Sequence, residues 1–175
     1  MLLAFFMIQN VEIKAACNDP LNLKRTLEEL GADYEGLDHQ IDTYFNVPEG
    51  RLKIREGTIE HNLIGYDRFD QEGPKDSQVH LRELQPKSCM KELLTDVWGI
   101  KVVVDKQRHI YFIENVKFHV DQVRDLGSFC EIEAIDLDGD IGRERLLQQC
   151  NDYMSLLGIE GEDLISCSYS DLLLK

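Results

Sequence analysis

Five short strand-like stretches of this chain put charged residues on one face. They are Val11-Glu12-Ile13-Lys14-Ala15, Arg51-Leu52-Lys53-Ile54-Arg55, Lys106-Gln107-Arg108, Lys117-Phe118-His119-Val120-Asp121 and Glu131-Ile132-Glu133. Side chains two apart on a strand share a face. Each stretch therefore reads as a strand with one apolar face and one charged face. Acid and base are partly sorted: Arg51, Lys53 and Arg55 share one strand, Glu131 and Glu133 another. A sheet built this way presents a charged face suited to something highly anionic, held by cations and by a metal.

The bland alternative is a half-exposed antiparallel sheet, which alternates apolar and polar residues by default. Like charges side by side on one strand argue against it, because they are unfavourable without a counter-ion. The same feature also recurs along the chain. Lys14, Arg51, Lys53, Arg55, Arg68, Lys106, Arg108 and Lys117 place eight of the 19 Lys and Arg residues in strand-like segments. The formal net charge is nevertheless −14. Such a chain is a poor partner for nucleic acid or an anionic membrane. A small anion met by locally concentrated cations remains compatible with it.

At 175 residues the chain has the length of one domain, read here as residues 1–175. Cys17, Cys89, Cys130, Cys150 and Cys167 are odd in number and widely spaced, with no CxxC. That reads as reduced thiols in a cytoplasmic protein rather than a disulfide framework or a zinc site. The apolar start, Met1–Ile8, lacks the flanks of a signal peptide and is too short to span a bilayer, so it reads as lead-in to the first strand.

The remaining elements follow from local signals. Asp19-Pro20 starts a helix that Gly31 ends. Strands are expected over 40–47, 51–56, 62–69 and 78–83, with Pro48-Glu49-Gly50 as a turn and 70–77 as a mobile loop. A helix is expected over 87–98, burying Leu93, Leu94, Val97 and Trp98. Segments 101–105 and 109–113 read as strands, or one long bent strand, followed by a hairpin over 115–136. Asp140 is the expected cap of a helix running to Leu157. Ser168 and Asp171 have capping-box spacing at a last short helix. The fold class is α+β: about eight mostly antiparallel strands closing into a barrel, with helices packed outside.

Basic and acidic strands side by side suit a metal–polyphosphate complex. Arginine and lysine hold phosphate oxygens. Carboxylates hold Mg²⁺ or Mn²⁺. No phosphate-loop glycine pattern and no nucleophile elbow is present. His61, His80 and His109 read as surface or core residues, while His39 and His119 lie nearer the charged runs.

The ordered set resembles the CYTH family, the triphosphate tunnel fold, which includes class IV adenylyl cyclases and thiamine triphosphatases. The family's first-strand Glu-x-Glu-x-Lys is matched by Asn10-Val11-Glu12-Ile13-Lys14. Lys106-Gln107-Arg108 looks like its Lys-x-Arg strand, and 119–133 like its acidic hairpin. The run 50–56 and the close Ser168-Tyr169-Ser170-Asp171 also fit. Asn10 departs from the pattern: an amide can offer a metal an oxygen but brings no charge.

The resemblance implies an eight-stranded tunnel with a polar lumen and a divalent-metal-dependent enzyme inside it. Lys14, Arg51, Lys53, Arg55, Arg68, Lys106, Arg108 and Lys117 would clamp phosphates, with Arg51 and Lys117 nearer the mouths. Glu12, Asp121, Glu131 and Glu133 would bind Mg²⁺ or Mn²⁺. Glu12 and Lys14 would serve the chemistry. The implied substrate is a small-molecule triphosphate: ATP, tripolyphosphate or thiamine triphosphate. Adenylyl cyclase comes first, triphosphatase second, and a noncatalytic nucleotide- or polyphosphate-binding module third. The pattern leaves room for a homodimer without requiring one.

Overall fold

The structure is a computed structural model that describes residues 7–67, 71–85 and 88–175. The N-terminal lead-in before Met7, and with it Arg68, Asp70 and Lys87, lies outside the described residues. Eight strands are described: β1 (Met7–Ala16), β2 (Asp33–Phe45), β3 (Arg51–Glu56), β4 (His61–Asp67), β5 (Lys75–Glu83), β6 (Ile100–Ile113), β7 (Val116–Val123) and β8 (Gly127–Asp136). They close into a barrel in the order β1-β5-β4-β3-β2-β6-β7-β8, and every pairing is antiparallel. Four α-helices are described: α1 (Pro20–Glu29), α2 (Met90–Trp98), α3 (Arg143–Leu156) and α4 (Tyr169–Leu173).

The alternation in the sequence sorts residues between the outside and the lumen. Val11, Ile13 and Ala15 of β1, Val116, Phe118 and Val120 of β7, and Cys130, Ile132 and Ala134 of β8 face outward. Leu23 and Leu27 of α1 and Leu146 and Cys150 of α3 cover them to form the main core. A smaller cluster puts Met90 and Leu94 of α2 against Leu52, Ile54, Leu63 and Leu84. Lumen positions of the same strands carry Lys, Arg, Asp and Glu. The interior of this barrel is polar, and its hydrophobic core lies outside the sheet.

Most local signals hold. Asp19 caps α1, its side chain accepting from the Asn22 N–H at 3.0 Å. Ser168 and Asp171 form a reciprocal capping box at α4. The two segments read as bent or separate are one continuous β6. Several differ. β2 begins at Asp33 rather than at residue 40, with Gly36 at φ 148° and a register shift beside it. Asp140 does not cap α3. Gly142 holds that place, and the Asp136 carboxylate accepts from the N–H groups of Gly139, Ile141 and Gly142 to close the turn. Leu93, Val97 and Trp98 of α2 are exposed, because a single short helix on a curved wall buries only a narrow stripe. Lys75, expected in the mobile loop, is 2% exposed, and its ammonium donates to the carbonyls of Gln71, Ile165 and Ser166 at 3.3, 3.1 and 3.0 Å.

Those last two carbonyls belong to the segment leading into α4. The Ile165 N–H also bonds the Lys14 carbonyl at 2.9 Å. α4 is thereby laid across one end of the barrel. There Tyr169 packs 5.0 Å from Phe129 and 3.7 Å beneath the Lys14 ammonium, measured to its ring centre. Arg51 donates to Asp171 at 3.0 Å and fastens the helix to β3.

Candidate functional site

The lumen holds a cavity of about 130 Å³. Glu12 and Lys14 from β1, Lys53 and Arg55 from β3, Lys106 and Arg108 from β6, Lys117 from β7, and Glu131 and Glu133 from β8 all reach it. These nine sequence candidates are brought together from five strands. Arg51 stands apart, at the α4 end. Asp121 is not on the cavity wall. Its carboxylate accepts two hydrogen bonds from Arg108, at 2.7 and 2.5 Å, and one from the Tyr169 hydroxyl at 2.8 Å. In this arrangement it is the counter-ion that aims Arg108.

Three walls can be distinguished. The first is basic and centres on Asp42. Lys53, Lys106 and Arg55 converge on its carboxylate, at 2.7 Å, 2.8 Å and, for Arg55, 2.9 and 3.0 Å. Burial alone would raise the Asp42 carboxyl, but the charges of Arg55, Lys106 and Lys53 outweigh it and hold it well below the usual range. Lys106 is pushed down to about 7: burial dominates, Asp42 opposes it, and Arg55, Arg108 and Lys53 add to it.

The second wall is acidic. Glu131 accepts from Lys14 on one oxygen, and from Arg108 at 2.8 Å on the other. Burial would raise its carboxyl, yet Lys14 and Arg108 keep it well below its usual value. His119 Nδ1 lies 3.0 Å from Glu131 and 3.9 Å from Glu133. Burial, then Arg108, pulls the His119 imidazole below its ordinary value. His119, Glu131 and Glu133 each bring one donor atom to a cluster whose atoms lie within 4.8 Å of one another. The buried His119 Nε2 and the buried Asn10 Oδ1, which is on the cavity wall, have no hydrogen-bond partner. The donor set therefore fits a divalent cation: hard oxygens, one imidazole, and spare acceptor capacity in a buried place.

The third wall, from β4 and β5, is nearly neutral: Asn62, Ile64, Tyr66, Ser77, Val79 and Leu81. Tyr44 stands beside it, its hydroxyl 3.5 Å from that of Tyr66.

Around the lumen, cations and carboxylates are interleaved, with the Asp121 carboxylate set behind Arg108. Lys14, Lys53, Arg55, Lys106, Arg108 and Lys117 stand against Glu12, Asp42, Glu60, Asp121, Glu131 and Glu133. Four further residues of the site, Asp42, Tyr169, His119 and Glu60, were not assigned roles from sequence. Asp42 had a signal, since Asp38, Gln40, Asp42 and Tyr44 recur every second residue along β2. Tyr169 lies within the closing motif. His119 had only its place on a charged strand. Glu60 sits in a loop and has no periodic signal at all.

A closed antiparallel tunnel outside which the apolar core lies, and inside which cations face a cluster of metal-type donors, defines the class of fold. The chain belongs to the CYTH domain family, whose match covers residues 9–169. A protein of Methanocaldococcus jannaschii named as a putative adenylate cyclase is 27% identical over 170 residues, 93% of this chain and 97% of its own length. The PH1012 protein of Pyrococcus horikoshii superposes with a TM-score of 0.79 at 27% identity, covering 93% of this chain and 98% of that one. HpAC1 of Hippeastrum, a putative adenylyl cyclase reported to have a dominant triphosphatase activity, has a TM-score of 0.60 at 16% identity, with 94% of each chain covered. At that identity the likeness is one of fold.

Proposed function

We propose that this protein is a cytoplasmic, divalent-metal-dependent enzyme that processes a triphosphate inside the tunnel, and that its reaction is that of a class IV adenylyl cyclase. The observation that carries the reading is the three-walled lumen: cations on β3 and β6, donors on β7 and β8, and a neutral wall on β4 and β5. The carboxylates on the cavity wall weaken the pull of its cations on a triphosphate, and a divalent cation held on the acidic wall would offset them, which supports metal dependence. Glu131, Glu133 and His119 would hold the metal, with Glu12 and the Asn10 oxygen beside them. When bound, Mg²⁺ or Mn²⁺ supplies charge neutralisation and Lewis acidity.

The chain's own work is to bind and orient. Lys53, Arg55, Lys106 and Arg108 form the array that grips phosphate oxygens, and Lys14 and Lys117 flank it. Asp42 and Asp121 keep the array in place, so it is preorganised for charge that develops on phosphate oxygens. Ile64, Val79 and Leu81, with the rings of Tyr66 and Tyr44, offer a surface for an organic group attached to the phosphates. An inorganic chain makes no use of such a wall, which favours a triphosphate that carries an organic group. In the cyclase reaction the ribose 3′-oxygen attacks the α-phosphorus, the bond to pyrophosphate breaks, and the hydroxyl proton passes to solvent.

Triphosphatase is the second reading. It is favoured by the activity reported for HpAC1, whose fold is shared although it too bears a cyclase name.

Incubation with ATP, tripolyphosphate or thiamine triphosphate and Mg²⁺ or Mn²⁺, with product identification, tests both. Cyclic AMP with pyrophosphate is the expected outcome, and chelation with EDTA should stop it. Orthophosphate would replace the cyclase by the triphosphatase. Absence of binding to all three triphosphates would overturn the tunnel reading.

A further inference from the structure

The β3–β4 loop is held far more firmly than a turn requires. Asp38, fully buried on β2, accepts from the Thr58 N–H at 2.6 Å, the Thr58 hydroxyl at 2.8 Å, the Ile59 N–H at 2.9 Å and the Glu60 N–H at 3.0 Å. Gln40 adds a fifth bond at 2.8 Å. The packing leaves no room for a side chain at Gly57, where a Cβ would meet an Asp38 carboxylate oxygen and the Glu60 carbonyl, each at 2.6 Å. A buried carboxylate with this many donors is a fixed post.

What the post fixes is Glu60. Its carboxylate reaches the lumen wall and accepts from Arg55 at 2.7 Å, from the Gln40 amide at 2.9 Å, and from Lys117. Arg55 lies on β3 and Lys117 on β7, with β2 and β6 between them in the barrel. Glu60 thus bridges strands that do not touch. A guanidinium, an ammonium and an amide N–H converging on two oxygens is also how a protein holds a phosphoryl group.

We propose that Glu60 is a specificity-determining residue: it stands in for one phosphoryl group at the Arg55–Lys117 end of the array and so limits the length of phosphate chain the tunnel accepts. The proposal rests on the triphosphate reading of the tunnel. Glu60 occupies these cations in the resting protein, and a longer chain must compete with it for them. Its backbone stays on Asp38 whatever its side chain does, so removing the charge leaves the loop intact.

The test is calorimetric titration of wild type and Glu60→Gln with tripolyphosphate and with linear tetrapolyphosphate, each with Mg²⁺. The amide keeps the shape and frees the two cations. The affinity of Glu60→Gln for tetrapolyphosphate should rise by about tenfold more than its affinity for tripolyphosphate, the scale of one charge contact in a partly exposed site. Glu60→Asp, which keeps the charge on a shorter arm, should fall between the two. A tetra-to-tri ratio that is equal in wild type and both variants overturns the proposal while leaving the tunnel reading intact. Loss of affinity for both chains in Glu60→Gln also overturns it, because Glu60 would then be a brace for Arg55 and Lys117. If wild type and variants bind neither chain, the triphosphate reading itself fails.

Discussion

The outer and inner faces of the same strands make an instructive comparison. On β8, Cys130, Ile132 and Ala134 face outward into a hydrophobic core, while Glu131 and Glu133 face inward to charged partners. The outer face depends on volume: its side chains are buried among α1 and α3, and what holds it is apolar area removed from water. The inner face depends on charge: the six described cations that line the cavity are each paired with a carboxylate, and the space beside them is open to a ligand. Because the two sets alternate residue by residue, stability and chemistry can be altered separately at neighbouring positions. The exception is the set of carboxylates that neutralise the array, where the two are joined.

That exception carries the largest expected effect. Asp42→Ala leaves three converging cations without their shared partner and should cost about 3–5 kcal/mol, the range for breaking a buried charged pair. A urea melt measures it, and a shift under 1 kcal/mol would mean water reaches that wall freely. On the outer face, Ile132→Ala removes a fully buried side chain and should cost about 3 kcal/mol. Turnover per folded molecule should stay unchanged. If turnover falls in step with stability, the two faces are coupled and the comparison breaks.

One register position inward, Glu133→Ala should reverse that pattern. Turnover with Mg²⁺ or Mn²⁺ should fall at least about a hundredfold, the upper scale for disturbing a metal site, with the melting temperature nearly unchanged. Retained turnover would remove Glu133 from the metal site. Mn²⁺ binding followed by electron paramagnetic resonance gives an independent measurement, since the variant should bind the ion more weakly.

How much of this could be read from the chain follows from the same division. β1 was legible because Val11, Ile13 and Ala15 report an apolar outside while Glu12 and Lys14 report a charged inside. The start of β2 was not, since Asp33 to His39 lack an apolar face and Gly36 interrupts the pairing. Strand periodicity located the cations, but it could not tell a carboxylate on the cavity wall from one set behind an arginine. Asp121 and Glu131 look alike in sequence, and only the third dimension gives Asp121 its Arg108 and Tyr169. Glu60 was illegible for a different reason. It enters the lumen from a loop whose position is set by a carboxylate 22 residues away on another strand.

The smallest effect concerns pH, and it separates stability from anion affinity by sign. Burial pushes Lys106 down to about 7, while an unfolded lysine titrates near about 10.4. Between those values the unfolded chain binds more protons than the native one, so this group makes native stability rise with pH across that window. Anion affinity moves the other way. Phosphate favours the protonated ammonium, so binding must take up a proton above pH 7, and affinity should fall as pH rises, by at most about tenfold per unit. Between about pH 7.5 and 9.5, where phosphate groups are already ionised, titrations with ATP should show this fall while urea melts show stability increasing. Lys106→Arg keeps its charge throughout and should flatten both trends. An arginine variant as steep as the wild type would assign the pH dependence to another group in the tunnel.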